Sequence, residues 1–411
     1  MNTNFNKTFF ATVLAVGFSA GAFADASSNQ ALNQSSGPAF GFASHYGADV
    51  NSVPHPQSVA YLLQQKNKVP YESAVFGVQA EFDQQKWDGD AEYQGENGDV
   101  NNYGSGSYVS VVRFNTLVNF NKWVSAYFRV EAVGVDGLKP SVTNAFVTVG
   151  NLDYSPFYVS VGQNYLPVGA FSADAGPYSN GVNSTDFLVG SSYQQVDFGY
   201  YKNGFNAQFA VFKSDDPTQP KNKKSSSLND FATSVYYQAQ ANNFFSYTVG
   251  AGYVKDFRFT NSSWAEGATG NHAVPVANVN GSVTFNKVYI VSAEYNQAIS
   301  ASKYTEDKGS DHNRKPSAWT VGTSYAPTVF GKQATFWVSY SQTKDMKGFA
   351  TPEGGCGGQD TDPNGFKSSY NFSVTRPVFF DKFFVSLDYQ RQHDYAGKTA
   401  NVFTLDENVE F

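Results

Sequence analysis

The stretch Ala145 to Gly169, AFVTVGNLDYSPFYVSVGQNYLPVG, holds two alternating half-apolar runs of strand length around a tight polar turn. On the first arm Ala145, Val147 and Val149 share a face. On the second Phe157, Val159 and Val161 do, with Thr148, Ser160 and Gly162 opposite. A period of two residues is the period of a strand. Asp153-Tyr154-Ser155-Pro156 supplies the turn, through an aspartate that bonds nearby backbone and a proline that cannot donate to a ladder. The unit is an antiparallel hairpin, and most of the chain repeats it.

Composition agrees. The 411 residues are 17% aromatic but only 15% charged, with 36 Gly and a net charge of −7. Only Ser58 to Lys68, SVAYLLQQKNK, has a fair helical pattern, so a helix-rich two-domain enzyme is a poor fit. Scattered lysines and mild acidity form no basic stripe, which argues against nucleic acid as a partner.

Residues 1–24 carry Lys7, an apolar run from Phe9 to Phe23 and Ala22-Phe23-Ala24 as a small-x-small cleavage site, the pattern of a secretory signal peptide. No later run approaches the roughly 18 apolar residues of a membrane helix, so a membrane location requires a barrel. Residues 25–71 are polar, hold four prolines and the one short helix, and read as a periplasmic tail too small for a plug domain. The single Cys356, in GGCGGQDTDPNG, has no second cysteine to pair with and no metal-ligand spacing around it.

From Glu72 the alternation is nearly continuous. Ala74, Phe76, Val78, Ala80 and Phe82 form one face, then Val112, Phe114, Thr116, Val118 and Phe120, then Val124, Ala126, Phe128, Val130 and Ala132 after a turn at Asn121-Lys122. Further runs near 144–152, 157–165, 195–201, 205–213, 231–241, 244–254, 274–285, 288–297, 317–326, 333–343, 366–376, 383–392 and 401–411 bring the total to sixteen. Their connections alternate between short turns and long polar loops, which is the signature of an outer-membrane barrel over 72–411. The last residue, Phe411, is an aromatic terminus typical of such barrels. Glu407 shares the apolar face of Phe403, Leu405 and Val409, and would point at lipid unless that strand slips register or bulges. A pair of soluble sandwiches explains neither the alternation of loop lengths nor an outward face rimmed with Phe and Tyr. Phe120, Trp319, Tyr325, Tyr389 and Phe411 lie at apolar-face positions where aromatic girdles meet the membrane interface. The partners implied are outer-membrane lipid and the barrel assembly machinery.

The opposite parity places Glu81, Arg113, Arg129 and Glu131 inside the barrel on three consecutive strands. They form either a constriction that orients a polar solute or an ion-pair network that fills a polar lumen. Glu294, Asp388 and Asp197 also point inward, a slight acidic excess that favours cations. The five histidines show no ligand spacing, no Ser-His-Asp set emerges, and no cofactor or metal site is expected. Leu166 to Gln194 is the longest loop, third in order, a position from which porin loops often fold into the channel.

NAFVTVGNLDYSPFYVSVGQNYLPVGAF and PVFFDKFFVSLDYQRQHDYAG resemble the LbtU family of outer-membrane siderophore porins, related to the legiobactin receptor. The resemblance implies a sixteen-stranded barrel without a plug domain that imports ferric siderophore or, in some relatives, ferrous iron. The 47 residues from Asp25 to Tyr71 are indeed too few for the plug of an energised receptor. A general diffusion porin for small polar solutes and an adhesin working through its loops are the competing readings. Cysteine labelling of intact cells should mark loops 87–106, 213–230 and 344–365 and spare Asn121-Lys122 and Asn242-Asn243. Surface labelling of those two turns would refute the strand count.

Overall fold

In a computed structural model, the described residues are 40–53, 57–91, 93–94, 100–134, 137–169, 192–213, 228–241, 244–257, 273–305, 311–346 and 366–411. Sixteen long strands form one antiparallel sheet that closes on itself. They are β1 (Ser73–Gly89), β2 (Gly104–Asn119), β3 (Val124–Val133), β4 (Lys139–Gly150), β5 (Phe157–Tyr165), β6 (Ser192–Lys202), β7 (Phe205–Phe212) and β8 (Asp230–Gln240), followed by β9 (Phe245–Val254), β10 (Val276–Phe285), β11 (Tyr289–Ala298), β12 (Ser317–Tyr325), β13 (Thr335–Lys344), β14 (Phe366–Pro377), β15 (Phe383–Asp394) and β16 (Thr399–Glu410). Each pairs with its neighbours in sequence, and β16 pairs with β1, Glu410 opposite Gln79 and Ala400 opposite Gly89. Closure leaves no edge, so apart from its bulges the ladder is bonded within the sheet, as a hydrocarbon environment demands.

The two faces invert the usual soluble pattern. Val147, Phe157, Val161, Phe198, Val249, Val338 and Leu387 are exposed, whereas Asn115, Asn206, Asn296, Ser341, Ser369, Gln392 and Asn408 are buried. Exposed apolar and buried polar residues alternating along strands describe a lipid-facing wall around a polar lumen. The short connections lie at one end. Asn121 Oδ1 accepts from the Trp123 and Val124 N–H groups there, and Asn203-Gly204 takes positive φ at both positions, 51° and 81°, as a primed hairpin turn requires.

β1 and β2 are longer than the sequence suggests, at 17 and 16 residues, so Trp87 and Gly104 belong to strands and not to the loop expected over 87–106. The reason is physical. Past Phe82 the outward face of β1 reads Gln84, Lys86 and Asp88, because a strand projecting beyond the bilayer meets water on its outside and loses the apolar half of its alternation. The register of β16 runs unbroken through Glu407, which stands outward between Phe82 and Val385. The bulges lie elsewhere, between β1 and β2 at Glu81/Phe82, between β3 and β4 at Arg129/Val130, and between β14 and β15 at Phe366/Ser368.

Residues 40–53 and 57–70, part of the 25–71 stretch read from sequence as a periplasmic tail, do not hang free. Phe40–Phe42 forms a short strand parallel to Ala74–Phe76 of β1. The chain then turns through a 3-10 helix (Ala43–Tyr46) into α1 (Ser58–Lys66). Ala43, Val50, Val59, Leu62, Leu63 and Val69 form one apolar cluster with Leu117, Tyr127, Phe146 and Tyr158 of β2 to β5. Those four wall residues have the inward parity, so the segment lies on the lumen side of the barrel. It is an inner lining of one sector, and no plug domain is present among the described residues. The signal peptide, His55, His272, Cys356 and most of the 166–194 loop lie outside the described residues.

The seam generates a prediction. Phe411 exchanges backbone hydrogen bonds with Val78 in both directions, at 2.8 and 3.0 Å, and its ring lies 6.5 Å from those of Phe42 and Phe380. Deleting Phe411 should leave the Val78 amide and carbonyl unpaired and lower the yield of heat-modifiable barrel. An unchanged yield would contradict this role.

Candidate functional site

The lumen is the candidate site, and the pleat decides what lines it. On the β1 to β3 wall, Arg113 Nε donates to Glu131 Oε2 at 2.5 Å and its Nη1 to Gln79 Oε1 at 3.2 Å. A charge-assisted bond of this kind is among the stronger side-chain contacts. Arg129 sits one pleat nearer the short-turn end and turns away from that pair, donating to Asn115 Oδ1 at 2.7 Å and to the Asn51 carbonyl at 3.3 Å. Glu81 accepts from Asn408 Nδ2 across the seam, and carboxylate oxygens of Glu81, Asp83 and Asp406 lie within 4.8 Å of one another.

The remaining expected residues occupy other walls. Glu294 on β11 accepts from Asn278 Nδ2, which also reaches Asn296, while Asn280 donates to Asn278. Asp388 on β15 faces Thr404 of β16, next to the Ser386–Asp406 pair. Asp197 on β6 is buried beside Ala210 and Ser160. Of the expected lumen residues, the structure therefore brings together Arg113 with Glu131, and Glu81 with the seam acids. Arg129, Glu294 and Asp197 belong to separate networks. Asp83 and Asp406 were missed. Asp83 was lost because the apolar alternation ends at Phe82, and Asp406 because Glu407 breaks the apolar face of its strand and blurs which parity is inward.

Two chain segments narrow the lumen. At the short-turn end the inner segment is tied to the wall. Lys66 Nζ donates to the carbonyls of Lys122 and Gly150, Asn119 Nδ2 to those of Lys66, Val69 and Pro70, and Tyr127 Oη to that of Val50. Burial pushes the Lys66 ammonium down to about 8, opposed by Asp153. Asn51 Nδ2 donates to the Phe411 carbonyl, joining the segment to the seam. Further along, the start of the third loop leaves β5 and runs over the inner face of β8 and β9. There Tyr236 Oη donates to the Gly169 carbonyl at 2.7 Å, and Val168 packs where a Cβ on Gly252 would stand. Leu166 and Val168 join Phe212, Val254, Val276 and Met346 in a second apolar cluster. Next to the inner segment's cluster, against which Tyr201 packs, a cavity of about 400 Å³ is bordered by Tyr201, Gln238, Gln240, Ser246, Thr284 and Lys287.

On the outside, Phe120 and Tyr325 are exposed at the short-turn end, with Tyr325 stacked on Tyr289 at 4.5 Å. Trp319 packs beside Tyr340 and Tyr389 beside Phe403, at 5.2 and 4.8 Å. These aromatics occupy the outward parity on both halves of the wall, as interface girdles do.

The chain is similar in fold to the outer membrane channel DcaP of Acinetobacter baumannii, with a TM-score of 0.54 at 12% identity over 82% of this chain and 97% of that one. It is also similar to an anion-selective porin from Comamonas acidovorans, with a TM-score of 0.52 at 14% identity over 82% of this chain and 99% of that one. These likenesses concern the fold, a porin-like outer-membrane barrel. In sequence it is 23% identical over 302 residues, 72% of its length, to a UPF0422 protein of Coxiella burnetii, and spans 61% of that relative. The model of one family matches residues 42–283, more than half of the chain and including most of the inner segment, and the chain thus belongs to the family described as "Protein of unknown function (DUF3573)".

Proposed function

We propose that this barrel is an outer-membrane channel that favours cations and carries iron, as ferrous ion or as a ferric chelate, toward the periplasm. The observation that carries the reading is the sign of the lumen. Among the described, unexposed, inward-facing strand residues, Glu81, Asp83, Glu131, Asp197, Asp230, Glu294, Asp388, Asp394, Asp406 and Glu410 stand against Arg113 and Arg129. Rings and clusters of carboxylates lower the barrier to cations and raise it to anions. Carboxylate and water ligands suit hard divalent ions, so a passing metal ion could exchange part of its hydration shell for these oxygens.

Iron itself enters through the resemblance to siderophore porins, which supports a metal cargo over an organic one. Between its two forms, the narrowed lumen supports the small hydrated ion. A bulky chelate needs the aperture that the inner segment and residues 166–169 partly fill. The Arg113–Glu131–Gln79 cluster is the proposed selectivity element on the β1 to β3 wall. A second reading, a general diffusion porin for small polar solutes, is favoured by the neutral Ser, Thr and Asn lining of β12 to β14, including Thr320, Ser339, Ser341, Asn371 and Ser373.

Two measurements separate these readings. Proteoliposomes holding the purified barrel should take up ferrous iron faster than a neutral sugar of similar hydrated size. Equal rates would support the general porin. Arg113→Ala should leave Glu131 less compensated and move the reversal potential across a salt gradient further toward the cation limit, while the barrel still folds because a lumen position can be hydrated. Identical reversal potentials for the two pores would remove this cluster from the mechanism.

A further inference from the structure

The cavity of about 400 Å³ beside Tyr201 plays no part in the channel reading above. It lies at the short-turn end, which faces the periplasm in barrels of this kind. Its volume suits a small molecule. The strand register builds its wall. Gln240 of β8 stands opposite Ser246 of β9, and Ser246 opposite Thr284 of β10, so three inward polar side chains form one row across three strands. Gln238 stands one pleat further from the turn on β8, and Lys287 comes from the turn between β10 and β11.

These polar groups do not satisfy one another. Among the described residues, the side chains of Gln238, Gln240, Ser246, Thr284 and Lys287 form no hydrogen bond or ion pair with the rest of the protein. Deeper on the same wall, by contrast, Asn278 donates to Glu294 and Asn296 and accepts from Asn280. Donors and acceptors that converge on one concavity without internal partners are available to a solute. Among the described residues that border the cavity, Lys287 alone is charged. Its backbone is notable as well. Asn286 and Lys287 take φ of 49° and 59°, a primed hairpin turn whose second position favours glycine. A lysine held there keeps a disfavoured conformation and carries its ammonium to the cavity. Tyr201, Phe244 and Phe245 add an apolar border.

We propose that this cavity binds a small organic anion of the periplasm, a hydroxylated carboxylate. Its carboxylate pairs with Lys287, and its hydroxyls bond to the Gln240, Ser246 and Thr284 row and to Gln238. The aromatic border covers its carbon skeleton. A bare inorganic anion would fill little of the cavity and leave that border uncovered, and a neutral sugar would leave the ammonium unmatched. The site does not depend on the channel's cargo, since its one charge is positive where the lumen acids are negative.

The test is isothermal titration of the purified barrel in non-ionic detergent, without metal ions, using citrate, inorganic phosphate and glucose as probes. Citrate should bind at one saturable site, more tightly than phosphate, and glucose should give no saturable heat. Lys287→Gln should weaken citrate binding roughly tenfold or more, and Lys287→Arg should keep most of the affinity. Gln240→Ala should weaken it to a lesser degree. Both positions are exposed, and heat-modifiability checks that each variant forms the barrel. Citrate heats that do not saturate, phosphate or glucose binding as tightly as citrate, or an unchanged affinity in Lys287→Gln would overturn the site. Should Lys287→Gln fail to assemble, Gln240→Ala decides, and unchanged affinity in that variant overturns it equally.

Discussion

The pairing of β16 with β1 is the contact on which the rest of the structure depends. In hydrocarbon an unbonded peptide group costs several kcal/mol, so an open sheet of this length could not reside in a membrane. The seam fixes more than closure. It brings Asp406 opposite Asp83 and Asn408 opposite Glu81, so the Glu81–Asp83–Asp406 cluster exists only once the first and last strands meet. It also places the Phe411 carbonyl within reach of Asn51, and the Phe411 ring 6.5 Å from that of Phe42. Barrel closure, the Glu81–Asp83–Asp406 cluster and the tie from Asn51 to Phe411 thus depend on one strand pair.

Much of this was legible in the sequence, for a physical reason. A strand with lipid on one side and water on the other must alternate, and the hairpin around Asp153 does so without interruption. Strand number, the short turns and the inward parity of Glu81, Arg113, Arg129 and Glu131 follow from that period alone. Where the surroundings lose that two-sidedness, the signal fails. The upper part of β1 has water on its outer face, so Gln84, Lys86 and Asp88 looked like loop, and Asp83 was lost with them. Glu407 looked like a register error but is a carboxylate placed outward in an unbroken strand.

The inner segment was misplaced for a different reason. Its composition is that of an ordinary small helical piece, and nothing local distinguishes a helix packed on a lumen wall from one in the periplasm. Only the inward apolar residues Leu117, Tyr127, Phe146 and Tyr158 disclose the seat. On β2 to β5 they interrupt an inward run of polar residues, Asn115, Asn119, Ser125, Arg129, Asn144, Thr148, Ser160 and Asn164, and that interruption is the signal the sequence carries. Tyr158 also lies over Gly199, where a Cβ would collide with its ring, so a glycine on the next strand makes room for it. In the same way Val168 on Gly252 marks where the third loop touches the wall. Inward apolar residues in a water-filled barrel indicate that protein, not water, covers them.

The barrel is porin-like, two inserted segments narrow its bore, and its acidic wall is the basis on which we propose a cation-favouring, iron-carrying channel. Its most direct test is the uptake of labelled iron by iron-limited cells in which this chain is deleted and then restored, with ferrous ion and ferric siderophore supplied separately. The account predicts that deletion slows ferrous uptake and that restoration recovers it. Uptake of both iron forms at the parental rate in the deleted cells would contradict it.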